Sequence, residues 1–126
     1  MTRYELDHMV LTVADIDATI AFYRDALGIE AETFAGGRRA LRLSGAKINL
    51  HQSGAEFEPK AVAPTPGSGD LCLRSADPLE RVAERLAAAG VTIEEGPVAR
   101  TGALGEIRSI YLRDPDGNLI EISVPA

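Results

Sequence analysis

The stretch Leu6–Gly28, LDHMVLTVADIDATIAFYRDALG, changes its apolar period halfway along. As far as Val13 it alternates as a strand, with Leu6, His8, Val10 and Thr12 on one side and Met9, Leu11 and Val13, the core set, on the other. Beyond it Ile16, Ile20, Tyr23 and Leu27 recur at helical spacing, with Asp15 where an N-cap is wanted and Gly28 where a left-handed C-terminal residue is wanted. The stretch therefore predicts a strand followed at once by an amphipathic helix.

Three segments of strand character come next, GIEAETFA, RRALRLS and AKINLHQ, parted by the turn signals GG and SG. Residues of about 4–52 thus spell a βαβββ module. SGAEFEPKAVAPTPGSG, about 53–69, is rich in Pro and Gly and reads as a linker with little regular structure. Beyond it DLCLRS opens a second module of about 70–124. There Asp77, Pro78 and Glu80 predict an N-cap, a first-turn proline and a capping-box acid, and Leu79, Val82 and Leu86 form the buried stripe. VTIEE, EIRSIYLRD and LIEISV supply three more strands, the last two joined by a turn at PDGN.

The two halves repeat each other. A displacement of 62 positions lays Ala14 on Ala76, Asp15 on Asp77, Gly28 on Gly90 and His8 on Asp70, while aligning Gly45 with Gly117 lays Asn49 on Glu121. If each helix covers one face of a small sheet, Leu11, Val13, Ile48, Leu50, Leu71, Leu73, Ile120 and Ile122 face the helices. His8, Lys47, Asn49, His51, Asp70, Cys72 and Glu121 then share the uncovered parity, which gathers the only two histidines of the chain with two carboxylates that a β-branched strand would not otherwise hold. A face of this kind, curved by sheet twist, can close around a metal ion and a ligand.

Bulk composition sets the limits. With 126 residues the chain makes one domain able to bury a core without staples, and its net charge of −6 argues against nucleic acid, which needs a basic stripe. The single Cys72 forms no intramolecular disulfide, no apolar run reaches the length of a membrane span, and the expectation is a cytoplasmic protein acting on a small molecule.

The opening LDHMVLTVADIDATIAFYRDALG and the ending YLRDPDGNLIEIS resemble the vicinal oxygen chelate superfamily of glyoxalases, extradiol dioxygenases, fosfomycin-resistance and bleomycin-binding proteins. The resemblance covers nearly the whole chain. KINLHQ, EFEPKA and RTGALGEIRSIYLRDPDGNLIEI are similar to small glyoxalase-domain proteins of undefined substrate. It implies an α+β fold of paired βαβββ modules, a U-shaped mixed-sheet cup with helices on the outer face, and a divalent metal (Mn, Fe, Ni or Zn) on its floor. The family's first-strand histidine carries over to His8 and its last-strand glutamate to Glu121. Its second-module histidine falls on Asp70 and its first-module glutamate on Asn49, two departures that argue against ordinary lactoylglutathione lyase activity. His51, one side-chain step beyond Asn49, is the candidate to compensate.

Each residue also has a plainer reading. His8 could be a hydrogen-bonded core histidine, Asp70 after GSG a turn aspartate, and Cys72 a small apolar filler without a role. Lys47, Asn49, Arg42, Arg100 and Arg108 are candidate substrate-binding residues favouring an anionic ligand, or else solvated surface, and among them Lys47 and Asn49 have strand parity in their favour. The loop PVARTGALGE could close over substrate. The expectation is a metal-dependent small-molecule enzyme, lyase, isomerase, transferase-like or dioxygenase-like, with His8, Asp70, Glu121 and His51 around the ion and Glu121 or His51 moving protons. The alternative is a non-catalytic binding protein of the bleomycin-resistance type. Uncovered faces and a long linker predict a homodimer sharing its site between chains.

Overall fold

The structure, a computed structural model, describes residues 3–126. Its elements are β1 (His8–Val13), α1 (Ile16–Leu27), β2 (Ala31–Phe34), β3 (Arg38–Leu43), β4 (Ala46–Gln52), β5 (Asp70–Arg74), α2 (Leu79–Ala88), β6 (Glu95–Gly102), β7 (Gly105–Arg113) and β8 (Leu119–Pro125). The chain is α+β, two βαβββ modules with one open, mixed, four-stranded sheet each, ordered β1-β4-β3-β2 and β5-β8-β7-β6. β1 runs parallel to β4 and β5 parallel to β8, and the remaining pairs are antiparallel.

The opening stretch folds as its two periods predict. Asp15 Oδ1 accepts the Ala18 N–H at 3.1 Å, and Gly28 ends α1 at φ 68, a left-handed angle that costs a residue without Cβ nothing. The second helix begins differently. Pro78 itself occupies the cap position with extended backbone and no side-chain cap bond, and Asp77, predicted to cap, has its carboxylate 3.7 Å from Arg85 instead. β6 also departs from expectation. Residues 91–94 form no strand, and most of the PVARTGALGE segment is strand, running up β6 to a two-residue turn at Ala103 and Leu104. The register shifts between Glu95 and Val98, around Gly96 and Pro97, and the ladder continues beyond it.

Both modules share one core. Leu11, Ile48 and Leu50 of the first sheet cluster with Ile110, Leu112, Ile120 and Ile122 of the second and with Tyr23, Val82 and Leu86 of the helices, α1 packing against α2. A buried polar knot ties the halves across it. Tyr23 donates to Asp114 Oδ2 at 2.7 Å, Asp114 Oδ1 accepts the backbone N–H groups of Asp116 and Asn118, and Asn118 Oδ1 accepts the Gly69 N–H at 2.7 Å. Burial, reinforced by Asp114, drives the Tyr23 hydroxyl far above its ordinary pKa, so it is a fixed donor. A Cβ on Gly69 would lie 2.9 Å from both Asn118 and Leu11, which is why the linker re-enters the fold through glycine. Among the described residues no helix is long and apolar enough to cross a membrane.

Candidate functional site

Strand register gives the open faces residue by residue, because partners opposite each other point the same way. On the first sheet His8 stands opposite Lys47, Val10 opposite Asn49 and Thr12 opposite His51, with Ala40 and Arg42 of β3 beside Asn49 and Lys47. On the second sheet Asp70 stands opposite Leu119 and Cys72 opposite Glu121, with Tyr111 on the far side of Glu121 and Ser109 beside Ser123. The offset from His8 to Asn49 is thus the offset from Asp70 to Glu121. The repeat seen in the sequence is a geometric equivalence of these four positions.

His8 begins the edge strand β1, half-exposed, with Nδ1 2.8 Å from the Asp7 carboxylate. A carboxylate only accepts, so the proton lies on Nδ1 and the Nε2 lone pair is left to face outward, the way metal-binding imidazoles are commonly oriented. Glu121 is half-buried and its Oε2 accepts the Ser109 hydroxyl at 2.5 Å. Asp70, exposed at the start of β5, lies diagonally across from Glu121 on the same face. Asn49 is 5% exposed and its Oδ1 has no partner, an orphaned acceptor at the position equivalent to Glu121.

His51 is 3% exposed, its ring edge-on to Phe57 of the linker at 5.6 Å and its Nε2 3.4 Å from an Arg38 nitrogen. Burial first, then the Arg38 charge, hold its pKa below the ordinary histidine value, against a weaker pull from Glu56. The linker, though without helix or strand, lies across this face and walls a cavity of about 430 Å³ with Pro59, Lys60, Pro64 and Thr65 against Thr12 and His51. On the second sheet Cys72 donates to Ser123 at 3.3 Å, and burial raises its thiol above the ordinary value, so it stays protonated. Cys72, Glu121 and Ser123 line a hollow of about 330 Å³.

Several expectations change. Among the described residues no three of His, Cys, Asp and Glu come together within one chain. His51 stands well along the face from His8, because its register partner Thr12 lies four residues along β1, roughly 13 Å at the usual strand rise. Arg108 has the parity of the buried Ile110 and Leu112 and points to the helix-covered side, away from the open face. Arg42 and Arg100 do face the open sides, but Arg42 is exposed and 4.0 Å from Glu32, and Arg100 is bound to Tyr111 at 3.0 Å and Glu95 at 2.9 Å. Sequence reasoning passed over Arg38, Ser109 and Tyr111. Arg38 was findable from the alternation of RRALRL, and the other two from the hairpin register that puts them beside Ser123 and Glu121. Phe57, in a linker without period, gave no signal.

Residues 5–122 match the glyoxalase/bleomycin resistance protein/dioxygenase superfamily. Virulence protein STM3117 of Salmonella typhimurium is 59% identical over 118 residues, 94% of this chain and 82% of that protein. Its crystal structure matches with a TM-score of 0.95 at 56% identity, covering 100% of both chains. Glyoxalase domain-containing protein RDO1 of Mycosarcoma maydis is 53% identical over 118 residues, 94% of this chain, which spans only 66% of its length. Fold alone is shared with a lactoylglutathione lyase of Agrobacterium tumefaciens (24% identity, TM-score 0.73, 98% and 95% of the chains) and with the antibiotic-binding TnmS3 of Streptomyces (24%, 0.76, 100% and 99%). The same holds for the Listeria monocytogenes fosfomycin resistance protein FosX complexed with Mn(II) (23%, 0.66, 100% and 93%). Two modules in the same order, a family match over nearly the full length and a relative this similar lead to one statement: the chain belongs to the glyoxalase/bleomycin resistance protein/dioxygenase superfamily.

Proposed function

We propose that the protein is a divalent-metal-dependent enzyme acting on a small molecule, its site assembled from the first sheet of one copy and the second sheet of another. The observation that carries this is the division of prepared donors. His8, oriented by Asp7, stands on one open face, while Glu121, oriented by Ser109, and Asp70 stand on the other, and neither face holds a set by itself. One imidazole and two carboxylates suit Mn(II) or Fe(II) ahead of Zn(II) or Ni(II), because hard oxygen donors dominate. Bound there, the ion would supply Lewis acidity to a substrate chelating through two oxygens.

The protein's own residues supply the rest. His8 presents the Nε2 lone pair, Asp70 and Glu121 supply charge, and Ser109 keeps Glu121 in one rotamer so that Oε1 can ligate or take a proton. Asn49, where the glyoxalase pattern has glutamate, and Asp70, where it has histidine, direct the reading away from lactoylglutathione lyase chemistry. The test is melting temperature with and without Mn(II), Fe(II), Ni(II) and Zn(II). Wild type should gain roughly 2.7 kcal/mol when free metal is a hundredfold above Kd, and Glu121→Gln should lose most of that gain while its metal-free stability holds. No metal response and no bound metal in wild type would leave the non-catalytic binding reading, with the linker-walled cavity as its ligand site.

A further inference from the structure

Two cations on the open face of the first sheet stand apart from the other basic residues. Arg24, Arg39, Arg42, Lys60, Arg85, Arg100 and Arg113 each have a carboxylate partner, and the unpaired Arg3, Arg74, Arg81 and Arg108 are exposed to solvent. Among the described residues only Arg38 and Lys47 are both partly buried and without an acidic partner. They gather at one ring. Lys47 Nζ lies 3.4 Å and the Arg38 guanidinium 5.3 Å from the centroid of Phe34, and Phe57 packs over Arg38 from the linker at 4.5 Å. Aromatic faces offset part of the cost of desolvating a cation, but a counter-ion offsets more. The nearby carboxylates are engaged elsewhere. Glu32 is the partner of Arg42, Glu58 of Lys60, and Glu56 accepts the Gly54 N–H at 2.8 Å.

His51 adds a donor between the strands. A guanidinium has no lone pair, so in its contact with Arg38 the imidazole Nε2 accepts and the proton lies on Nδ1. That Nδ1–H is buried and has no partner. The Nδ1–H bond points away from the nitrogen that meets Arg38, so what Phe34 gathers is two cations without an anion.

We propose that Arg38 and Lys47, gathered at Phe34, form an oxyanion-recognition site that holds a carboxylate or phosphate group of the small-molecule substrate, with His51 Nε2 steadying the Arg38 guanidinium. This deepens the function proposed above and rests on the open faces being the ligand-binding faces, but it needs no metal. Bidentate contact from Arg38 fits a planar carboxylate or a phosphate, Lys47 adds charge, and Phe34 and Phe57 wall the group off from water.

The experiment is a titration of the metal-free full-length protein with benzoate, acetate and inorganic phosphate, with benzamide and acetamide as neutral controls, read by backbone amide shifts. Saturable shifts across residues 38–51 with at least one oxyanion, absent with its neutral counterpart, are expected. Arg38→Gln and Lys47→Gln should each weaken binding at least tenfold, and Arg81→Gln, on the exposed side of α2, should leave it unchanged. Comparing carboxylate with phosphate says which group is preferred. The proposal is overturned if no oxyanion binds saturably, if benzamide binds as benzoate does, or if both variants bind like wild type. Arg38→Gln keeping the metal response while losing benzoate supports it. Oxyanion binding in a wild type that ignores metal also supports it, and then only the metal reading fails.

Discussion

The open faces of the two sheets share strand order and register, yet they carry different chemistry. On the first, the equivalent positions hold His8 and Asn49, Arg42 pairs with Glu32, and the partly buried Arg38 and Lys47 have no carboxylate. On the second, those positions hold Asp70 and Glu121, Arg100 and Arg113 pair with Glu95 and Glu94, and the exposed Arg74 has no acidic partner. Polar burial differs too. The first face leaves Asn49 Oδ1 and His51 Nδ1 unpartnered, whereas on the second Ser109 donates to Glu121 and Cys72 to Ser123. The contrast teaches that a duplicated fold need not keep duplicated chemistry: one face carries an imidazole and two partly buried cations without an acidic partner, the other two carboxylates.

The largest effect concerns the reaction that this division disfavours. On the function proposed above, methylglyoxal with glutathione should be turned over far below the kcat/KM of about 10⁴–10⁸ M⁻¹s⁻¹ typical of enzymes, because that reading carries the lyase glutamate and histidine over to Asn49 and Asp70. A metal-reconstituted sample within that range would dissolve the contrast. Next comes the common core on which both faces rest. Ile120→Ala removes a fully buried side chain and should cost about 2–5 kcal/mol in one cooperative transition by calorimetry. Two separate transitions would mean that the modules, and so the faces, are independent.

A smaller effect is a pH dependence belonging to the first face. His51 has its pKa lowered in the folded state, so below about pH 6.5 the unfolded chain binds a proton that the native site refuses. Stability should therefore fall as pH drops from 6.5 towards the folded pKa, and His51→Gln should flatten that slope in urea titrations at pH 5 to 7. An unchanged slope would show that burial of His51 carries no such penalty. Smallest of all, Arg100→Gln on the second face breaks an exposed pair and should change stability by less than about 1 kcal/mol. A larger loss in urea denaturation would mark the second face as more tightly organised than its hydrogen bonds imply.

Most of the fold could be read from period and parity. The switch at Val13, the caps at Asp15 and Gly28 and the repeat of both halves fixed eight strands and two helices, and each residue assigned to the uncovered parity does lie on an open face. The reading failed at the start of two elements. Pro78 became the cap instead of the first helical residue, and β6 begins only at Glu95, the last residue of VTIEE. The site was half readable. Parity says which side of a sheet a residue takes, but not how far along the strand it stands from a residue on its neighbour, so His51 was grouped with His8 until register separated them. Nor does it say which open face meets which.

That last question is answered most directly by subunit mixing. His8→Ala and Glu121→Gln, each purified and each expected to lose metal binding, are combined under conditions that allow exchange and then assayed for bound Mn(II). In a mixed pair, His8 of the Glu121→Gln subunit faces Asp70 and Glu121 of the His8→Ala subunit, so one of two sites is whole. Random pairing should then restore about a quarter of the wild-type metal content. No restoration above either variant alone, in a sample shown to contain mixed dimers, would contradict a site shared between copies.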